Sequence, residues 1–460
     1  MRKDNGVDGD AQRIGQLGWM LFLKILDARE QTMELMQDNY MSAIPVELQR
    51  KNRAEDDEGI TWDALIEFIN LKLFPTLKDL PNKDNKLAYI IKGVFEDSFN
   101  YMKSGTLLRQ VINKIDEIDF TRKSELHIFN DIYEKILNDL QNAGNYGEFY
   151  TPRAVTQFMV QTLDPQLGQK ILDPACGTGG FLTGCIEHIR AHYVHNAEHE
   201  AILQEQIHGI EMKPLPHLLA TTNLMLHGIE TPINLRHDDS LSKPIKDIWP
   251  RDQVEIILAN PPFGGSISDG ILANFPKNFQ TKETASLFMV MIISLLKHGG
   301  QGAVVLPDGF LFSEGIDSRI KEKLLTECNL HTIVRLPNNV FAPYATVATN
   351  LLFFTKGEST KEIRYYEHKV PTGQKTYNKT NPIKLSEFDA EKTRWTDRKE
   401  SEVSRKVSID TIRDRNYNLD VKNPHKGEEA PVLDTTEIIS MIDANLNKAH
   451  EILKQIKVSL

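Results

Sequence analysis

The chain has 460 residues, of which 40% are hydrophobic and 26% charged, with a formal net charge of −10. At about 150 residues per domain this length predicts two to four units, and the apolar content predicts packed cores rather than a disordered polymer. The longest uninterrupted apolar run, 287–293, is far below the roughly 18 residues of a membrane span. The polar start Met1-Arg2-Lys3-Asp4 lacks the apolar core of a secretory signal, so a cytoplasmic location is expected. Cys176, Cys185 and Cys328 are too few and too scattered for a disulfide framework or a CxxC metal site. The acidic balance opposes the basic footprint of a lone nucleic-acid reader, unless the basic groove is local or a partner supplies phosphate contacts.

Residues 12–141 read as helical. Trp19, Phe22, Leu23 and Leu26 recur at three- and four-residue spacing, as do Leu107, Val111 and Ile115, and then Ile128, Ile132 and Ile136. Pro75 and Pro81 punctuate between helices. An N-terminal all-α domain over 1–143 follows, with no motif of recognisable chemistry. A Gly/Asn loop, Asn142 to Gly147, marks the change of texture.

Beyond it, apolar strands expected at 170–173, 207–211, 233–236, 254–259, 302–306, 332–336 and 350–354 alternate with helices at 180–192, 215–226, 285–296 and 316–328. That alternation predicts an α/β domain over 144–356, a parallel, doubly wound sheet with helices on both faces. Ligands of such sheets bind beyond the carboxyl ends of the strands. Residues 357–434 are expected to form a polar extension; 356–430 hold 17 Lys and Arg against 14 Asp and Glu, so this is no basic arm. A C-terminal helical tail, 435–460, carries Ile439, Ile442, Leu446, Ala449, Leu453, Ile456 and Leu460 at alternating spacings of 3 and 4, a coiled-coil seam. It suits either packing on the chain's own N-terminal helices or a shared seam with another subunit.

Asp173-Pro174-Ala175-Cys176-Gly177-Thr178-Gly179-Gly180-Phe181-Leu182 follows the first expected strand and opens a helix. Glycines permit tight turns and close backbone approach to a ligand. No Lys-Ser/Thr follows them, so this is not a phosphate loop, and Leu182 breaks the GxGxxG pattern. A carboxylate at the strand end suits a cationic ligand such as S-adenosylmethionine. Glu211, ending the second strand, can accept both ribose hydroxyls, and Asp239, after the third, can reach the adenine amino group of the cofactor. Together with Gly177, Thr178, Gly179 and Gly180 these acids describe an adenosyl pocket in which no phosphate is neutralised. That favours S-adenosylmethionine over NAD or ATP.

Asn260-Pro261-Pro262-Phe263 falls just after the fourth strand. The prolines fix φ and bring no N–H donors, leaving their carbonyls as acceptors. An exocyclic adenine amine is a poor nucleophile because its lone pair is delocalised into the ring. Two acceptors, the Asn260 side-chain oxygen and the Pro261 carbonyl, would localise that pair towards a sulfonium methyl. Orientation and desolvation then matter more than a strong base. Phe263 offers a face on which a base taken out of the duplex can stack.

These two motifs resemble those of the amino-methyltransferases that modify adenine. Gly147-Glu148-Phe149-Tyr150-Thr151-Pro152-Arg153 resembles the motif that closes over the methionine end of the cofactor in that group, which implies cofactor contacts from Glu148, Phe149, Tyr150, Thr151, Pro152 and Arg153. Its place upstream of the Gly-rich motif is the gamma-class order. With Leu306-Pro307-Asp308-Gly309-Phe310-Leu311-Phe312 and Arg415-Asn416-Tyr417-Asn418-Leu419-Asp420, the chain is similar to modification (methylase) subunits of type I restriction–modification systems from about Gly9 onward. At Glu148 that family often has Gln. The resemblance implies a doubly wound S-adenosylmethionine-dependent methyltransferase fold and adenine methylation in double-stranded DNA. It also implies a separate DNA-specificity subunit docked through the C-terminal helix, a second modification subunit, and a restriction nuclease subunit in the full complex. The alternatives are a stand-alone adenine DNA methyltransferase, a methyltransferase for RNA or protein glutamine, and a non-enzymatic scaffold.

His188, His192, His195 and His199 share one face if a single helix spans them, but no third ligand is obvious and no metal site is expected. Glu55-Asp56-Asp57-Glu58 reads as a solvated turn. Lys243, Lys246 and Arg251 could line a groove beside the catalytic motif or simply lie on the surface.

Overall fold

The computed structural model describes residues 1–36, 38, 40–48, 62–81, 85–120, 133, 151–265, 267–342, 346–378, 380–424 and 443. The expected helices at Ile128, Ile132 and Ile136, the loop from Asn142 to Gly147, and Glu148, Phe149 and Tyr150 lie outside them. So do the acidic turn at 55–58, the boundary at 143, and the heptads from 435 onward, Asp443 excepted.

The helical layer is built around the long helix Gly9–Met36. Trp19, Phe22, Ile25 and Leu26 are buried on one face, while Leu23 packs at its margin. Trp19 and Phe95 each meet Phe74 edge-on at 5.2 Å. Each such fully buried side chain contributes ~1.5–3 kcal/mol by leaving water. Asn85 and Ser104 accept from the backbone N–H groups of Ala88 and Leu107, which starts helices Lys86–Glu96 and Gly105–Asp116. Pro75 does not separate two helices. It stands in the first turn of Phe74–Lys78, directly after a π-helical turn, Ile69–Leu73, so the run from Trp62 is continuous. A wider turn before a proline accommodates the carbonyl that its ring would otherwise strike.

The remaining described chain forms one nine-stranded sheet in the order β3-β2-β1-β4-β5-β7-β6-β8-β9. The strands are β1 (Ile171–Asp173), β2 (Ile207–Glu211), β3 (Leu235–His237), β4 (Val254–Ala259), β5 (Leu296–Pro307), β6 (Cys328–Arg335), β7 (Thr349–Lys356), β8 (Glu362–Glu367) and β9 (Ser404–Ser408). All seven expected strands are present, β2 and β4 with the expected bounds and the other five with shifted ends. The first five run parallel, but β7 is antiparallel to both β5 and β6. Parallel neighbours need a crossover, usually helical. The described chain between Arg335 and Thr349 has no helix, so it returns antiparallel. Gly302 in β5 faces Phe354 in β7; a Cβ there would sit 2.5 Å from the phenyl ring, so only glycine permits this pairing.

The described part of the expected polar extension, residues 357–378 and 380–424, carries two further strands of the same sheet. β8 pairs with β6, and β9 with β8, so the sheet continues through Ser408. Ile363, Tyr365 and Val407 enter the core, while Glu362 and Lys406 are exposed and Arg364 is half-buried beside Trp395. This alternation dilutes the hydrophobic signal. The Arg415–Asp420 motif then folds back onto the 306–312 motif: Leu419 N–H donates to the Leu311 carbonyl, and Arg335 bridges Asp308 and Asp420.

The two layers meet at helix Pro214–Leu226, which follows β2. Leu218, Leu219, Met225 and Leu226 join the core of the helical layer, and Gly18 packs against Leu218. Tyr133 donates to the Leu219 carbonyl at 3.1 Å and Arg29 to the Met225 carbonyl at 2.7 Å. Burial lowers the Arg29 guanidinium to about 10, against the pull of Glu230. Its charge serves the negative end of the helix. Among the described residues no helix is long and apolar enough to cross a membrane.

Candidate active site

A cavity of about 420 Å³ opens beyond the carboxyl ends of β1, β2, β3 and β4. Gly177, Glu211, Asp239, Asn260 and Pro262 share its wall, though they come from four separate strand ends. The buried strands beneath leave these termini as the natural place for polar groups.

The Gly-rich turn takes its shape from Gly177 and Gly179, both at positive φ (55° and 85°). Gly179 N–H bonds to the Cys176 carbonyl at 2.8 Å, and the turn opens helix Gly180–His192. Glu211 is held by two backbone donors: Gly177 N–H reaches Oε2 at 2.9 Å and Lys213 N–H reaches Oε1 at 2.8 Å. The carboxylate is thereby oriented, and each oxygen keeps further acceptor capacity for a diol. Asp239 Oδ1 accepts from Leu241 N–H at 2.9 Å, capping the short turn Ser240–Ser242.

Asp173 is not on the cavity wall. It is 1% exposed beneath the turn, where Oδ1 accepts from Ala175 N–H at 3.0 Å. Burial pushes its carboxyl up to about 8; the Ala175 bond opposes this and Glu211 adds to it. The acid is therefore largely protonated at neutral pH, and a nearby cation would ionise it.

Asn260 follows β4 and is 7% exposed; its Nδ2 donates to Thr151 Oγ1 at 3.0 Å. The segment expected to close over the cofactor thus touches the catalytic motif. Pro261 is buried, and Phe263 is half-buried and packed on the core cluster that holds Phe158 and Leu258 rather than lining the cavity.

Other expected cofactor contacts are placed elsewhere. Thr151, Arg153, Thr178 and Gly180 line a smaller adjoining pocket, Pro152 starts helix Arg153–Leu163, and Gly179 packs against Ala220. Arg153 pairs with Glu187 at 2.9 Å, so its charge is engaged on helix Gly180–His192. Sequence spacing could not show that pairing, 34 residues apart. Lys243 pairs with Asp252 at 2.8 Å. The histidines do not share a helical face, because one helix ends at His192 and the next starts at Ala197. His188 instead bonds Asp164 at 2.7 Å.

Sequence reading missed Thr284 and Phe288, one turn apart on helix Thr284–Leu295 and both on the cavity wall. Thr284 is 6% exposed, and among the described residues its hydroxyl has no hydrogen-bond partner. Such a buried group costs about 1–3 kcal/mol unless something satisfies it. The helix also packs on the turn that Asp239 caps, and the hydroxyl itself lies against Gly265, just after the catalytic motif. A polar hydroxyl after a Gly/Pro-rich loop, i and i+4 with an aromatic, was the available signal. The volume, the acids on the wall and this waiting hydroxyl fit a cationic adenosyl cofactor. They do not fit a polyphosphate, for which, among the described residues, Lys213 is the one cation on the wall.

A family model of N-6 DNA methylases matches residues 124–431. The chain is 56% identical to the type I restriction enzyme EcoEI methylase subunit of Escherichia coli, over 93% of this chain and 89% of that one. It is 29% identical to the EcoKI methylase subunit of E. coli K12, over 77% of this chain but 65% of that relative, just under two thirds of its length. Among solved structures, a modification subunit assigned to a type I restriction enzyme of Vibrio vulnificus YJ016 superposes with a TM-score of 0.83. It shares 42% identity and the match covers 92% and 94% of the two chains. A chain from a structure of type I restriction–modification complex assembly gives 0.84 at 32% identity, covering 99% and 95%.

The fold and site are those of an adenine-specific DNA methyltransferase. The chain belongs to the N-6 DNA methylase family and, within it, to the type I restriction enzyme methylase subunits.

Proposed function

We propose that this chain binds S-adenosylmethionine in the 420 Å³ cavity and methylates the exocyclic amine of an adenine presented to Asn260. The observation that carries the reading is the single wall shared by Glu211, Asp239 and Asn260, which sets an adenosyl site beside amine acceptors. Glu211 holds the ribose hydroxyls, Asp239 with Thr284 the adenine, and the turn Gly177 to Gly180 the amino-acid end, whose charge Asp173 balances from beneath the turn. When bound, the cofactor supplies an electrophilic methyl on a sulfonium. Asn260 Oδ1 and the Pro261 carbonyl accept the two amine hydrogens, which draws the lone pair out of the ring. Phe263 turns from its half-buried place to stack on the extruded base.

The acidic chain leaves base reading to a partner. We infer a specificity subunit docked on residues 435–460, a second modification subunit, a nuclease subunit in the full assembly, and a cytoplasmic setting. Tritiated methyl should enter target DNA only after a specificity subunit is added, and deletion of 435–460 should abolish co-purification while cofactor binding stays. Sequence-specific methylation by the chain alone, or a complex that survives the deletion, would refute this arrangement.

A further inference from the structure

An asparagine amide has two orientations, related by a half-turn about its terminal bond, and they differ completely in chemistry. One presents an acceptor oxygen to an incoming amine; the other presents N–H groups and repels it. Asn260 stands at the cavity wall with Nδ2 on Thr151 Oγ1 at 3.0 Å, a contact spanning 109 residues of sequence. Thr151 precedes helix Arg153–Leu163, whose own bonds anchor it: Val155 and Thr156 N–H groups donate to the Pro152 carbonyl at 2.8 and 3.0 Å. The hydroxyl is therefore carried by the residue next to an anchored helix start.

We infer that Thr151 is a positioning residue for methyl transfer, its hydroxyl accepting from the Asn260 amide so that Oδ1 faces the target amine. This rests on the reading of Asn260 as the amine acceptor. The same bond also polarises the amide. Donation from Nδ2 shifts density onto Oδ1 through amide resonance, which makes it a better acceptor. The effect is largest where the site is dry, and Asn260 is 7% exposed. The assignment also changes the role of Thr151 from cofactor clasp to support for the catalytic amide.

The test compares Thr151→Val, Thr151→Ser and Asn260→Ala in the assembled complex, with single-turnover methylation and cofactor titration as separate readouts. One net hydrogen bond of roughly 1 kcal/mol corresponds to about a fivefold change. Thr151→Val, isosteric but unable to accept, should therefore slow methyl transfer about 5- to 10-fold while the cofactor Kd is unchanged. Thr151→Ser should restore the rate. An unchanged rate in a folded Thr151→Val protein overturns the inference, as does a loss confined to cofactor affinity. Methylation that persists in Asn260→Ala would instead overturn the reading of the site itself, so the two failures are distinguishable.

Discussion

Replacing Asn260 with alanine is expected to cut methyl transfer by at least about 10²-fold, the order lost when one preorganised polar contact leaves a transition state. Cofactor affinity should hardly move. Asn260 shares the cavity wall with the adenosyl acids, but its side chain is engaged with Thr151 rather than with Glu211 or Asp239. Glu211 keeps both of its backbone donors in the variant. The loss should therefore fall on the chemical step alone, because the interaction strengthens only as the amine lone pair localises. Stability should change little, since a net side-chain hydrogen bond at the cavity wall is worth only about 1 kcal/mol. Titration of cofactor against intrinsic fluorescence, beside single-turnover methylation, separates the two effects. A parallel loss of binding and rate would place Asn260 in the cofactor site instead.

Asp173→Asn should stabilise the cofactor-free protein while weakening cofactor binding. The folded carboxyl titrates near 8 because of burial, against 3.8 in an unconstrained chain. The native state thus holds a proton that the unfolded state releases between those values. Stability consequently falls as pH rises from about 4 to 8 and is level above, the reverse of an ion-paired aspartate. At pH 7 the cost is roughly 4 kcal/mol by proton linkage. Asparagine is neutral and can still accept from Ala175 N–H through its oxygen. Its new amide donors need partners, so a net gain of about 1–3 kcal/mol is expected. Binding a cation to the wild type must expel the proton. Affinity should therefore rise up to tenfold per pH unit towards about 8, then level. The Asp173→Asn variant should lack that component, while any titration of the ligand itself, common to both proteins, persists. Denaturation midpoints and cofactor titrations from pH 5 to 9 check both signs. Equal pH dependence in the two proteins would contradict the buried-acid account.

The features behind these expectations differ in how well the sequence showed them. Buried parallel strands read as short apolar runs, so β1, β2 and β4 were visible, and with them the strand ends that carry Asp173, Glu211 and Asn260. Strand direction is not written in hydrophobicity, which is why β7 was taken as parallel. The last two strands, β8 and β9, hid because Glu362, Arg364 and Lys406 alternate with Ile363, Tyr365 and Val407. The site's acids stood in recognisable surroundings, but Thr284 did not: a lone threonine becomes informative only once its helix is seen to bury it at the cavity wall. Pairings such as Arg153 with Glu187, and Thr151 with Asn260, depend on how distant elements pack. No spacing rule reaches them.

If the cavity joins a methyl donor to an adenine amine, the identity of the methylated base is the most direct measurement. The chain, assembled with its specificity subunit, is given duplex DNA and cofactor with an isotopically labelled methyl group, and the DNA is digested to nucleosides for mass spectrometry. Label is expected in N6-methyl-2′-deoxyadenosine, and absent with Asn260→Ala. Label in a methylated cytosine, or in protein and not in DNA, would contradict the assignment.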